Sequence, residues 1–328
     1  MAKISGTIAD WPWLALVKQE AITFGSNVCA FSFRKPPLNV MYTKGVWIMQ
    51  RFVIVLWLTM ASVVHAQESP RLGIFGTVSS VDPLVVAGER IEKPEAVGVI
   101  SPLGPKQSIA LGDTFAIRAE LRAGKLEAER MLAIYPIAGP VRAVEGQLAD
   151  IMGTKIHIPP SESMKKNLWY AVSGLWSGDT IITTNLRRLD GSGFAHLTGV
   201  LAGDETRQIG SSTVTGVPLS EVNSGTDIWL LSGTPKAKSL AVRLSSKGLF
   251  GGAVDLALWE GYASLPVASQ TYAIYGTGIT GSESDAQMPE AGELIRRCVK
   301  DNRTVKSPPD GLHTAFIVLG CARHTRVD

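Results

Sequence analysis

Ser163-Met-Lys-Lys166 has the Ser-x-x-Lys spacing that opens a penicillin-recognising serine site. That chemistry also needs a Lys-Thr-Gly strand and a Ser-x-Asn loop. The chain has no Lys-Thr-Gly, and the motif follows Pro159-Pro160 in a polar stretch, so a solvated loop is expected there. No Gly-x-Ser-x-Gly elbow is present: Ser177 stands in Gly174-Leu-Trp-Ser-Gly178, with the wrong spacing. His157, His196, His313 and His324 are too scattered for a metal pair. His196 falls in an alternating run, where a satisfied side chain on a barrel wall is expected. A triad can be assembled from distant positions, because triads are defined by geometry, but nothing in the spacing points to one. Asp113 and Asp179 each follow a glycine and suit turns, where Asp bonds its own backbone. Asp190-Gly-Ser-Gly193 lacks the run of carboxylates that calcium requires. Trp169, Tyr170 and Trp176 are the candidate binding surface, able to stack on sugars or peptide side chains if exposed and serving as core if not.

Three cysteines in 328 residues exclude a disulfide-dense miniprotein. With 45% apolar and 19% charged residues the chain is neither a disordered tail nor a coiled coil. The net charge of +3 is unevenly placed. Removing the six basic and two acidic residues of 1–66 from totals of 32 and 29 leaves 26 and 27, a net of −1 over 67–328. That balance does not attract phosphate backbones, and nucleic acid is not an expected partner.

From Met49 the chain reads MQRFVIVLWLTMASVVHAQES. Arg51 supplies a positive start, Phe52 to Val64 an apolar stretch, and Val64-His65-Ala66 small residues at the positions before a cut. This is a secretory signal peptide over 49–66, with cleavage expected between Ala66 and Gln67. The apolar stretch is shorter than the roughly 20 residues a membrane span needs. Residues 1–48 are read as a gene-model extension, with the true start at Met49 or Met41. The rival reading is a cytoplasmic extension ahead of a membrane anchor. Export leaves Cys298 and Cys321, which read as a disulfide in an oxidising compartment. The bridge would contribute about 3 kcal/mol in the chain-entropy model.

The elements that must position these residues are short strands. Over Thr114–Leu121, Phe115, Ile117, Ala119 and Leu121 share one face, with Arg118 and Glu120 opposite. After a turn at Arg122-Ala-Gly-Lys125, the residues Leu126, Ala128, Leu132 and Ile134 are placed on one face, with Arg130 breaking the pattern. Two alternating runs around a glycine turn predict a β-hairpin. Gly112-Asp113-Thr114 is matched by Gly178-Asp179-Thr180, 66 residues on. Each precedes a strand and a glycine turn, which suggests a duplicated β unit. Further strand candidates are Asp227–Leu231, Ser239–Leu244, Ala253–Trp259 and Gln270–Tyr275. Pro289 to Cys298 suits a short helix, acidic at its start and basic at its end. Ser307-Pro-Pro-Asp-Gly311 is a turn, and Leu312 to Leu319 reads as a final strand.

The expected fold is mainly β. Two or three tandem small antiparallel β-barrel units occupy 72–138, 139–204 and 205–275, and a C-terminal helix–strand cap fills 276–328. The units resemble a family of small β-barrel domains of unknown function found in secreted proteobacterial proteins. The residues that carry the resemblance are Gly76-Thr77-Val78, Leu84-Val85-Val86-Ala87-Gly88, Gly112-Asp113-Thr114, Gly124-Lys125-Leu126-Glu127-Ala128 and Gly139-Pro140-Val141. They cover 73–141 well and 142–203 in part. The resemblance implies a barrel like the oligosaccharide/oligonucleotide-binding fold and brings no activity with it. A non-catalytic binding or scaffolding module of the periplasm or cell envelope is expected, or a secreted one. Its partner would be an envelope protein or glycan, with no cofactor, no metal and no membrane span after cleavage. The alternative is an envelope-directed hydrolase with a site assembled from distant residues. N-terminal sequencing of the native product is expected to begin at Gln67; a sequence starting before residue 40 would overturn the leader reading.

Overall fold

The computed structural model describes residues 69–105, 108–191, 193–203, 206–217, 227–266, 270–284 and 288–323. The chain divides between Ala66 and Gln67, and every described residue belongs to the second part. The extension at 1–48, the leader at 49–66 with its cut at Ala66–Gln67, Ser192 and His324 lie outside the described residues. Among the described residues no helix is long and apolar enough to cross a membrane.

The protein is mainly β. Its first strands are β1 (Arg71–Val81), β2 (Leu84–Val86), β3 (Glu89–Glu92), β4 (Val99–Ile100), β5 (Thr114–Arg122) and β6 (Lys125–Ile134). β1 pairs antiparallel with β2 and β5; β2 pairs with β3, β3 runs parallel to β6, and β6 returns to β5. These five strands close a barrel around Ile74, Val86, Ile91, Ile117, Leu126 and Met131, all buried. Closure leaves no unpaired edge to bury. The turn between β5 and β6 has positive φ at both Ala123 and Gly124, the two-residue geometry that matches strand twist.

One expectation about β6 is corrected. Arg118 faces Arg130 while Ala119 faces Ala128, so Glu129 is an extra, bulged residue. A bulge shifts the side-chain alternation by one. Leu126 and Ala128 therefore share the barrel interior with Met131 and Ala133. Leu132 and Ile134 point outward into a separate core with Phe75, Phe250 and Trp259.

The next strands are β7 (Ile137–Glu145), β8 (Leu148–Ile151), β9 (Thr154–His157), β10 (Trp169–Ser177) and β11 (Thr180–Leu189). Their pairings run β7–β8–β9–β11–β10 and back to β7, with β9 and β11 parallel. β12 (Ala195–Val200), β13 (Gln208–Ile209), β14 (Ser212–Thr215), β15 (Ile228–Pro235) and β16 (Ser239–Lys247) follow. There β12 pairs with β15, β15 with β16, β16 runs parallel to β14, and β14 pairs with β13. A bridge from Ala202 to Gln208 returns the order to its start. Nearer the C-terminus are β17 (Leu256–Tyr262), β18 (Thr271–Ile274), β19 (Ile279–Ser282), β20 (Leu294–Lys300) and β21 (Arg303–Thr304). β17 pairs with β20, β20 with β21, β21 runs parallel to β19, and β19 pairs with β18. Two ladders join these groups: β7 antiparallel to β12, and β1 parallel to β17, the latter extending the first barrel into a large mixed sheet.

The C-terminal segment reverses the expected order of elements. Of the helix expected over Pro289–Cys298, residues 294–298 instead belong to β20, because β17 offers a full antiparallel ladder from Ala257 to Tyr262. Residues 313–318, expected as strand, form the short helix α1 (His313–Val318). Leu312, Ala315, Phe316 and Leu319, at helical spacing, bury into the core of the first barrel. Cys298 and Cys321 form the disulfide, tying β20 to the end of α1 with Cα atoms 5.5 Å apart.

The two Gly-Asp-Thr motifs stand at different places relative to their strands. Gly178-Asp179 is the hairpin turn between β10 and β11, the place that Ala123-Gly124 holds between β5 and β6. The backbone bonds made by Gly112-Asp113 recur at Asn167-Leu168. Gly112 N–H donates to Val78 O (2.9 Å) and Val78 N–H to Asp113 O (2.8 Å); Asn167 and Leu168 make the same two bonds with Val141 (2.8 and 2.9 Å). Gly292 and Glu293 repeat them with Ala263 (2.8 and 2.9 Å). Gly112, Asn167 and Gly292 all have positive φ.

Gly174, at φ 152° beside the β10–β11 bulge, would carry a Cβ only 2.2 Å from Ile182 O. Gly174→Ala is expected to lower unfolding free energy by at least about 2 kcal/mol, read from urea midpoints. Gly98→Ala, whose Cβ meets nothing, is expected to stay within about 0.5 kcal/mol of the parent.

Candidate functional site

The residues with catalytic spacing do not converge. Ser163 and Lys166 are exposed on the loop between β9 and β10, as expected of a solvated segment. His157 is half-buried on β9 and His313 is exposed on α1. Asp113 is 3% exposed, and its carboxylate accepts from Ala110 N–H (2.7 Å) and Asn185 Nδ2 (3.1 Å). Thr114 Oγ1 accepts from Gly174 N–H at 2.9 Å, joining β5 to β10. Asp179 is exposed beside Gly178 and accepts from Ser211 Oγ at 3.1 Å, and Thr180 opens β11. The two aspartates thus hold separate turns. Among the described residues no group of His, Cys, Asp and Glu is placed to hold a metal.

The aromatic candidates are mostly core. Tyr170 and Trp176 are 6% and 7% exposed. Tyr170 Oη accepts from Lys165 N–H at 3.2 Å, and Trp176 Nε1 donates to Thr198 O at 2.9 Å. Trp169 is half-buried. The alternation of β10 that buries Tyr170 turns Trp169 the other way, so the three rings do not form one stacking platform.

His196 is 1% exposed on β12, with Nδ1 2.9 Å from Ser232 Oγ and Nε2 2.8 Å from Thr198 Oγ1. Burial pushes its pKa down to about 3, so the ring is neutral. Both ring nitrogens are occupied by hydroxyls in the wall of the sheet, which is a satisfied structural histidine.

A cleft of about 110 Å³ is lined by Glu89, Arg296, Arg323, Val305, the Gly88 and Gly320 backbones and the Cys298–Cys321 bridge. Its charges come from strand parity. Glu260 on β17 faces Arg296 on β20, two residues from the Leu258–Cys298 pair, so all four side chains share one face. Glu260 is 2% exposed; its Oε1 accepts from Thr77 Oγ1 at 2.8 Å, and its Oε2 stands 3.6 Å from Arg296 Nε. Burial raises the Glu260 pKa against the opposing pull of Thr77 and Arg296. Burial also raises that of Glu89, opposed by Arg323 and Arg296. Arg323 Nη2 donates to both Glu89 oxygens, at 3.1 and 3.2 Å. A Cβ on Gly88 would fall 2.4 Å from Arg296 Nη1 and one on Gly320 2.2 Å from Glu89 Oε1, so glycine is what lets the charged groups approach.

The arrangement can hold a small polar group or a few waters between guanidinium and carboxylate, beside a rigid disulfide wall. Glu260, Arg296 and Glu89 belong to no sequence motif. The available signal was a glutamate at an inward position of Leu256-Ala-Leu-Trp-Glu-Gly-Tyr262, where a strand alternation expects an apolar residue. In the helix expected over Pro289–Cys298, Arg296 and Arg297 would share one basic end. On a strand they face opposite ways, and Arg297 Nε donates instead to Tyr272 Oη at 3.1 Å.

No family model, no curated protein and no solved structure matches the chain.

The buried His196 makes stability pH-dependent. Its folded pKa lies below the unfolded value of 6.5, so its contribution is complete above that pH and is lost as pH falls toward about 3. In that window the parent is expected to lose about 1.4 kcal/mol per pH unit more than His196→Asn. Urea unfolding at several pH values checks this; parallel slopes in parent and variant would refute it.

Proposed function

We propose that this is an exported, non-catalytic binding or scaffolding module of the cell envelope. We infer that it is built from four copies of one five-strand unit, at about 71–134, 137–189, 195–247 and 256–304. The observation that carries the reading is the recurrence of one pairing order. With β4 set aside, the first strand of each group pairs with the fourth and the third runs parallel to the fifth; the first pairs with the second in two groups, and in the other two the residues just beyond it reach the second through the single bridges Ala202–Gln208 and Ala263–Ile274. Register shifts add support. They fall after Arg118, Ser173 and Ser232, the fifth residue of the fourth strand in three of the groups.

Repetition of this kind favours a display role. A unit whose strands bury one face against its neighbours gains a stiff array, and loops and clefts then present ligand-binding groups. The Phe75–Trp259 ring contact, at 4.8 Å, joins strands of the first and last groups, and Phe250, on the loop before β17, packs on Trp259 at 5.6 Å. The leader and the Cys298–Cys321 bridge support an oxidising compartment outside the cytoplasm. Within the array the Glu89–Arg296–Arg323 cleft, about 110 Å³, offers charged walls to a small polar group.

The purified full chain is expected to be retained on isolated envelope material in a saturable manner, with no release of soluble fragments over hours. Absence of saturable retention would remove the binding reading. Fragment release that stops in Ser232→Ala would replace it with the hydrolase reading, since Ser232 Oγ is one of the two hydroxyls in contact with His196.

A further inference from the structure

A second charged feature lies away from the cleft, on the outer face of the first barrel. Arg118 on β5 and Arg130 on β6 are directly opposed across the ladder. Like charges so placed repel and weaken a sheet. The same positions in the next two groups hold Ser173 opposite Asn185 and Ser232 opposite Leu244. The arginine pair is therefore peculiar to the first group, and its cost is not imposed by the fold.

The two guanidinium groups straddle one loop. Arg118 Nη1 donates to Gly251 O at 3.2 Å, and Arg118 Nε donates to Glu129 Oε2 at 3.0 Å. Glu129 thus offsets part of the Arg118 charge. Arg130 lies so close over Gly251 that a Cβ there would sit 1.1 Å from its Nη1. Gly251 has φ 68°, a second reason for glycine at that position. Among the described residues Arg130 makes no hydrogen bond or ion pair, and the N–H groups of Gly251, Gly252 and Ala253 donate none either. Burial and the neighbouring Arg118 both disfavour the charge on Arg130. A half-buried guanidinium with unused donors and a second cation beside it make a receptor for a small anion.

We propose that Arg130, supported by Arg118 and the Gly251–Gly252 loop, is an oxyanion-binding subsite that takes a carboxylate or phosphate group of a ligand. The guanidinium offers the anion two parallel N–H donors, and the arriving charge relieves the Arg118–Arg130 repulsion. The subsite is separate from the Glu89–Arg296–Arg323 cleft and stands whether or not that cleft binds anything.

The test is an NMR titration of the arginine Nε–Hε signals of the full chain, at constant ionic strength. Inorganic phosphate is used in one arm and acetate in the other. A saturable shift of the Arg130 signal is expected in at least one arm, accompanied by a saturable rise in Tm. Phosphate alone would name a phosphoryl ligand, and acetate alone a carboxylate ligand. Arg130→Gln is expected to weaken the Tm response at least about tenfold, while Arg303→Gln leaves it unchanged. A non-saturating Arg130 shift in both arms, or an undiminished response in Arg130→Gln, would overturn the proposal. Should Arg130→Gln fail to fold, the parent titration decides alone.

Discussion

The parallel ladder between β1 and β17 is the constraint on which the rest depends. Leu72, Gly73, Ile74 and Phe75 pair with Leu256, Ala257, Leu258 and Trp259. A parallel pair cannot be made by a tight turn, because the chain must return to the same end of the sheet before it can add a strand. Here the return passes through everything between the first group and the last. The bond from Thr77 Oγ1 to Glu260 spans 183 positions in the sequence. Closing so long a loop costs only a few kcal/mol more than closing a short one. The ladder and its two buried faces can offset that cost.

Parity along β17 then distributes the side chains. Leu256 and Leu258 join the first barrel's core with Cys298, while Ala257 and Trp259 join Phe75, Leu132 and Phe250 on the other side. β1 serves three partners by dividing its length. Its first half lies beside β17, its second half beside β2, and β5 runs along its other edge. Where β2 and β17 diverge, a wedge opens, and α1 packs Leu312, Phe316 and Leu319 against that core. The disulfide fixes the end of this plug to β20. Close approach of the layers is set by glycine: a Cβ on Gly73 would meet Phe250 and Ala257 at 2.8 Å. The Gly251 loop is brought over Arg118 and Arg130 by the same docking, since Phe250 anchors it in the shared core.

The hairpins, their two-residue turns and the pairing of Cys298 with Cys321 could be read from the sequence, because each is a local or near-local matter. Phe115, Ile117 and Ala119 alternate plainly, and Gly124 marks the turn. The exchange of helix and strand at the C-terminus shows where locality ends. Glu290 to Arg297 carries charges that suit a helix dipole, yet β17 supplies a ladder that outweighs a few tenths of a kcal/mol of such preference. Leu312, Ala315, Phe316 and Leu319 stood at helical spacing all along, but the β-rich composition of Phe316-Ile-Val318 obscured it. The bulge at Glu129 was visible only as Arg130 falling out of phase. The site residues were harder still. Glu89, Glu260, Arg296 and Arg323 lie on separate elements, and only the β1–β17 joint assembles them.

The Glu260–Arg296 pair sits at that joint, and its energetics say what it does there. Taking both charges out of water costs several kcal/mol per ion before their attraction is counted, so a buried pair is poor support for stability in itself. At 3.6 Å the contact is also longer than a good charge-assisted hydrogen bond. Its effect is on register. A one-residue slip of β17 against β1 would carry Glu260 into the core that holds Phe75 and Phe250 and turn Trp259 toward the first barrel. Arg296 and Thr77 would then be on the wrong face, and an unpaired carboxylate would be buried among aromatic rings. That arrangement costs more than any gain from alternative apolar contacts. The pair therefore selects one alignment of the first group on the last, the alignment that places Gly88 beneath Arg296 and Gly251 beneath Arg130.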